Sequence, residues 1–168
     1  MKNIVLIGMR VAGKSRLGKK LKDTLGMSLV DIDEYIQEKS NMTIEKIVDQ
    51  YGWTFFRNRE YEAILNFKNV SNTIIVTGAG LPTFERNQKI IKDIGIVVWV
   101  KTEEKTLLER INQKSKEHRP SLTGKNIEEE FLDIYKERIP IYKALADFIF
   151  HTSKDFQKEI IRLKNLGI

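Results

Sequence analysis

Cysteine is absent from the 168 residues, and histidine occurs only twice. Without thiols there is neither a disulfide framework nor a thiolate metal site, and two histidines make a transition-metal centre an unpromising reading. No apolar run approaches the ~18 residues of a membrane span. The opening Met1-Lys2-Asn3-Ile4 leads into a short apolar segment closed by Gly8, not into the longer apolar stretch and cleavage site of a secretion signal. Ten glycines and three prolines are too few for a collagen-like or low-complexity chain. A cytoplasmic protein without membrane contact is expected.

What is present is an ordinary globular composition, 41% hydrophobic and 31% charged. The length suits one domain, residues 1–168, that buries about two-thirds of the unfolded chain's surface. The net charge of +6 is not concentrated. Basic residues exceed acidic ones by 9 to 7 over residues 1–50, by 6 to 4 over 51–100 and by 14 to 12 over 101–168. Nucleic-acid binders cluster such an excess, so no nucleic-acid partner is expected; the expected partner is a small molecule, and a monomer is expected as well.

Strands are predicted at Ile4–Ile7, Ser28–Val30, Thr73–Val76, Ile96–Val100 and Phe148–Phe150, from short apolar runs with turn residues beside them. Between them lie helical patterns at 14–25, 34–50 with a break near Asn41, 53–68, about 84–92, 103–112, 127–146 with an interruption at Pro140, and 154–166. The alternation implies a three-layer α/β/α fold on a five-stranded, mainly parallel sheet. The polar stretch Gln113–Asn126 is longer than most loops in a compact domain, and loops of that kind are often functional.

Gly8-Met9-Arg10-Val11-Ala12-Gly13-Lys14-Ser15 fits G-x-x-x-x-G-K-[ST] between a predicted strand and a predicted helix. Loop amides and the helix dipole suit such a segment to a triphosphate. Lys14 is expected at the β- and γ-phosphates, and the Ser15 hydroxyl on Mg²⁺. Val11 is unusual because a β-branched residue resists positive φ; Arg16 either adds a cation or faces solvent. Asp31 and Asp33 follow the second strand two residues apart, on one side if the chain is extended. One carboxylate could hold the cation and the other meet a hydroxyl, unless Asp33 instead caps the helix that follows it.

Phe56, Ala63, Ile64 and Phe67 share a helical face with Glu60, and Arg57 lies one turn before that carboxylate. A Glu-held arginine can offer its fork to a substrate carboxylate. Arg138 likewise falls on the apolar stripe Ile127, Phe131, Ile134, Tyr135, Tyr142. Arg119, in the polar stretch, suits a lid that brings a cation to a transferring phosphoryl group.

Taken together, the Gly8–Ser15 loop, Asp31-x-Asp33, Phe56-Arg57-x-x-Glu60, Thr77-Gly78-Ala79-Gly80, Arg119-Pro120 and Arg138-x-Pro140-x-Tyr142 resemble the shikimate kinases nearly end to end. The resemblance implies a P-loop fold like that of the nucleoside-monophosphate kinases, with a substrate-binding insertion near 33–61 and a lid near 113–126. It implies ATP-dependent phosphorylation of the 3-hydroxyl of shikimate, with Mg²⁺ on Ser15 and Asp31. Lys14, Asp33 and Arg119 would be catalytic. Gly8, Arg10, Val11, Ala12, Gly13, Lys14, Ser15, Arg16, Arg110 and Arg119 would bind the nucleotide, with Arg110 against the adenine. Asp33, Arg57, Gly78, Ala79, Gly80 and Arg138 would bind the acceptor. Ala79 stands where the family has a glycine, and Val11, Val48 and Ser121 also depart from its pattern. A kinase for another hydroxy acid and a relative that binds ATP with weak catalysis remain open. A nucleotide switch is disfavoured by the absence of an N-K-x-D motif.

Overall fold

The computed structural model describes residues 2–114 and 126–167. Within them five strands, β1 (Asn3–Ile7), β2 (Ser28–Asp31), β3 (Thr73–Val76), β4 (Gly95–Lys101) and β5 (Phe148–His151), form one sheet in the order β2-β3-β1-β4-β5. All four pairings are parallel. Seven helices accompany them: α1 (Lys14–Leu25), α2 (Ile32–Ser40), α3 (Ile44–Leu65), α4 (Glu85–Ile94), α5 (Glu104–Lys114), α6 (Ile127–Leu145) and α7 (Phe156–Lys164).

The topology follows from the chain's apolar runs. Every residue of β1 and β3 is buried, as expected of strands covered on both faces. From β1 the chain moves outward to β2, whereas from β3 it crosses β1 to reach β4. Right-handed crossovers in opposite directions place α1 and α4 on opposite faces. Parallel pairing also sends the loops after β1, β2 and β3 to one edge of the sheet, the edge where open α/β sheets bind ligands.

Two boundaries differ from the sequence expectation, at Ile32 and at Pro140. The chain turns helical at Ile32, immediately after β2, so Asp31 and Asp33 do not alternate along an extended strand. The expected break near Asn41 is present: Asn41 ends α2 in the left-handed region, and the chain becomes helical again at Ile44. The expected boundary between the helices at 34–50 and 53–68 falls at Gly52 (φ 79°, ψ 168°), where α3 loses helical geometry and kinks, in a conformation closed to most side chains. Pro140 does not interrupt α6. Proline removes the N–H that would bond the carbonyl of Lys136, and both residues lie on the exposed side, where water can take that role.

Asn3 fastens the base of the sheet. Its buried amide nitrogen donates to the carbonyls of Val70 (2.8 Å) and Ile94 (2.9 Å), and its oxygen accepts from the Thr73 amide (3.0 Å). Asn3→Ala orphans three backbone groups at the sheet's buried end. It should lower unfolding free energy by roughly 2–3 kcal/mol in denaturant titrations and leave ligand binding at the opposite edge unchanged.

Candidate active site

The Gly8–Ser15 loop is shaped by three positive φ angles, at Gly8 (144°), Val11 (56°) and Gly13 (93°). A Cβ on Gly8 would lie 2.8 Å from the Val100 carbonyl oxygen, so glycine is required there by both conformation and space. Val11 adopts the left-handed region despite its branched side chain, a strained placement. Two long-range bonds hold this part of the loop. Arg110 donates from Nη1 to the Val11 carbonyl (2.9 Å), and Thr102 donates from Oγ1 to the Ala12 carbonyl (3.0 Å). The Lys14 ammonium bends back over the loop and donates to the carbonyls of Gly8 (3.0 Å) and Met9 (2.9 Å).

At the mouth of the loop Ser15 donates from Oγ to Asp31 Oδ2 (2.7 Å), while Asp31 Oδ1 accepts from the Asp33 amide (3.1 Å). Asp31 therefore caps α2; the sequence had suggested Asp33 as the alternative cap. A hydroxyl and a carboxylate in contact, beside a phosphate loop, form a hard oxygen donor set of the kind Mg²⁺ takes.

Ser15, Asp31 and Asp33 line a cleft of about 380 Å³ together with Arg10, Val11, Gly13, Lys14, Arg16, Ala79 and Arg110. Ten expected residues thus share one cavity. Gly8 and Ala12 shape its floor from behind through the loop backbone. Arg119 and its neighbours Pro120 and Ser121 lie outside the described residues.

The remaining expected residues, Arg57, Arg138, Gly78 and Gly80, adjoin this cleft at the turn after β3. A Cβ on Gly78 would fall 2.7 Å from Glu60 Oε1 and 2.8 Å from Asp33 Oδ1. One on Gly80 would fall 2.6 Å from both terminal nitrogens of Arg57. Neither glycine needs a positive φ; both are required because charged groups press against the bare backbone. Asp33, on the cleft, is thereby placed next to Glu60, and Glu60 Oε2 holds Arg57 Nη1 at 2.5 Å. The Arg57 guanidinium also stands 5.1 Å, 5.4 Å and 5.8 Å from the ring centroids of Trp53, Phe56 and Phe84, which fixes its plane. Phe84, exposed and outside any stripe, gave no sign in the sequence of this contact.

Tyr142 completes the turn. Fully buried, it donates its hydroxyl to the Ala79 carbonyl (2.6 Å). Burial pushes its pKa up to about 12, so the phenol keeps the proton it donates. Arg138, one helical turn earlier on α6, faces the same hydroxyl, and its buried Nε has no hydrogen-bond partner. Sequence analysis placed Tyr142 on an apolar stripe without giving it this positioning task; its spacing of four from Arg138 was the available signal. Two guanidinium groups thus converge on a buried corner, one of them with an unsatisfied donor. Such a corner favours an anion.

Glu60 is the acid in this corner, and burial raises its pKa to about 7 against the opposing pull of Arg57; the negative charge of Asp33 adds to the rise and Arg138 counters it. The native state therefore holds this proton up to about pH 7, whereas the unfolded chain releases it near 4.5. The unfolded state then binds fewer protons across that window. The stability contributed by protonated Glu60 is complete below pH 4.5 and is lost as pH rises through 7, by a few kcal/mol. Unfolding titrations at pH 4.5 and 7.5 should show this decline in the wild type and a much flatter profile in Glu60→Gln.

The family model for shikimate kinase matches residues 10–164. A shikimate kinase of Clostridium botulinum (strain Langeland) is 41% identical over 154 residues, covering 91% of this chain and 89% of that protein. One from Syntrophus aciditrophicus is 34% identical and covers 95% and 87%. Among solved structures, shikimate kinase from Acinetobacter baumannii, determined in complex with shikimate, superposes with a TM-score of 0.89 at 29% identity over 99% of this chain and 94% of its own. The Aquifex aeolicus enzyme gives 0.83 at 29% identity over 98% and 96%.

Proposed function

The chain belongs to the shikimate kinase family, and from that premise we propose that it transfers the γ-phosphoryl group of ATP to the 3-hydroxyl of shikimate, in the biosynthesis of aromatic amino acids. The observation that carries the reading is the contact chain from the phosphate loop to the arginine corner. Ser15 touches Asp31, Asp31 holds the Asp33 amide, Asp33 abuts Gly78, and Gly78 abuts the Glu60 that grips Arg57. A triphosphate and a hydroxylated carboxylic acid can therefore meet over Asp33.

The residue roles follow from charge and position. The loop amides, Lys14 and Arg10 receive the phosphates, and Lys14 exchanges its two loop carbonyls for phosphate oxygens. Ser15 and Asp31 would hold Mg²⁺, which supplies neutralisation of charge on the phosphates. Arg110 and Val11 border the nucleotide side, and Arg16 adds a cation to the cleft wall. Arg57 and Arg138 clamp the acceptor carboxylate, with the backbone of Gly78, Ala79 and Gly80 beneath the ring. Asp33 orients the acceptor hydroxyl and takes its proton as the oxygen attacks the γ-phosphorus. The new O–P bond forms, the bond to the β-phosphate oxygen breaks, and ADP leaves. Charge stabilisation by Lys14, Arg119 and the loop amides supplies the main acceleration. Every described residue of the site comes from one chain, which supports action as a monomer, and neither substrate is a lipid that would call for a membrane. Among the described residues no helix is long and apolar enough to cross one.

Ala79 favours a second reading, a kinase for a related hydroxy acid, because its methyl lines the cleft where the acceptor ring would lie. Measuring ADP release with shikimate and with a panel of hydroxy acids separates the two. Lys14→Met should lower kcat by about 10²-fold or more while leaving the thermal unfolding profile intact. Arg57→Lys, which keeps charge but loses the fork, should raise the acceptor KM roughly 10-fold or more and change the ATP KM little. Equal effects on both substrates would refute the carboxylate clamp.

A further inference from the structure

A second cleft, of about 420 Å³, lies between α2 and α3 and shares no residue with the site above. Its size falls in the range of small-molecule sites. The floor is aliphatic and buried, made by Ile36, Ile47 and Ala63. The walls are aromatic. Tyr51 and Phe55 stack at 4.7 Å with 30° between their planes on one side, and Tyr35 stands on the other. Tyr51 is 49% exposed, a large ring left in water beside an apolar slot.

The rim carries charge of mostly one sign. The Arg59 guanidinium stands 4.9 Å from the Phe55 centroid, and the Lys39 ammonium 5.7 Å from that of Tyr35. Glu62 is the acid among the lining residues; it takes Arg59 Nη1 at 2.7 Å and leaves the fork other donors. A slot with ring walls suits a flat ring, and two rim cations against one acid suit an anion.

The cleft also straddles the kink at Gly52. Tyr51 precedes the kink and Phe55 follows it, so a ligand held against both rings fixes the angle between the two halves of α3. Trp53, just past the kink, packs on the Arg57 guanidinium. We propose that this cleft is an effector site for a small planar anion, an aromatic ring bearing a carboxylate, and that its occupancy alters acceptor affinity through the kink of α3. The binding stands independently of the function proposed above; the coupling rests on Arg57 being the acceptor clamp.

The test uses the full chain with 2-naphthoate as probe and 2-naphthylmethanol as its neutral counterpart, followed by titration calorimetry. Naphthoate should bind in the sub-millimolar range and at least about tenfold more tightly than the alcohol. Lys39→Gln with Arg59→Gln should weaken naphthoate about tenfold, leave the alcohol and the basal activity unchanged, and melt like the wild type; each single substitution should show part of the loss. Arg57→Lys should bind naphthoate as the wild type does. Saturating naphthoate should shift the shikimate dissociation constant at least about twofold, with the reciprocal shift in its own. No binding at millimolar probe, equal binding of the alcohol, displacement by shikimate, or indifference to the loss of Lys39 and Arg59 would each overturn the site. Binding with an unmoved shikimate constant would overturn the effector role. Failure of shikimate itself to bind would overturn the proposed function and the coupling, while the naphthoate arms would still decide the cleft.

Discussion

A carboxylate taken out of water must share a cation or keep its proton, and Glu60 does part of each. Nearly the whole arginine corner is arranged around that requirement. Glu60 reaches the sheet edge because Gly78 has no side chain, and Arg57 follows it because Gly80 has none. Holding the guanidinium to Glu60 fixes the face that Arg57 turns toward the cleft, and the rings of Trp53, Phe56 and Phe84 prevent it from swinging away. Replacing the pair by apolar residues would be the cheaper way to fill this volume. A charged pair kept here, with an unpartnered guanidinium nitrogen of Arg138 beside it, suits an anion arriving from outside.

The two halves of the cleft differ in how they are held. The phosphate loop is tied by backbone carbonyls: Arg110 on Val11, Thr102 on Ala12, Lys14 on Gly8 and Met9. The arginine corner is tied by side chains from α3 and α6 closing on a turn, with Tyr142 clamping Ala79 from behind. Arg110 grips the Val11 carbonyl and so helps hold that residue at φ 56° against its strain. A corner built of side chains depends on the absence of volume at two adjoining positions.

Much of this was legible beforehand, and the reasons are local. The five strands announce themselves because a strand buried on both faces must be apolar throughout, as Ile4–Ile7 and Thr73–Val76 are. The phosphate loop is legible because its spacing is set by covalent geometry alone. Arg57 and Glu60 could be paired because residues three apart on an α-helix, with about 3.6 to the turn, are neighbours on its surface. What the sequence hid depends on distance along the chain. Arg110 is 99 residues from its partner Val11, and Tyr142 is 63 from Ala79. Gly78 and Gly80 look like flexible turn residues until Asp33, Glu60 and Arg57 are seen against them. The capping role fell to Asp31 instead of Asp33 because nothing in the spacing says where β2 stops and α2 begins.

The ammonium of Lys14 rests on two carbonyls of its own loop. A cradle that quenches its own cation needs no guest in order to form. An anion seated in the loop must draw the ammonium off those carbonyls, so part of its attraction is offset by a contact the chain already makes.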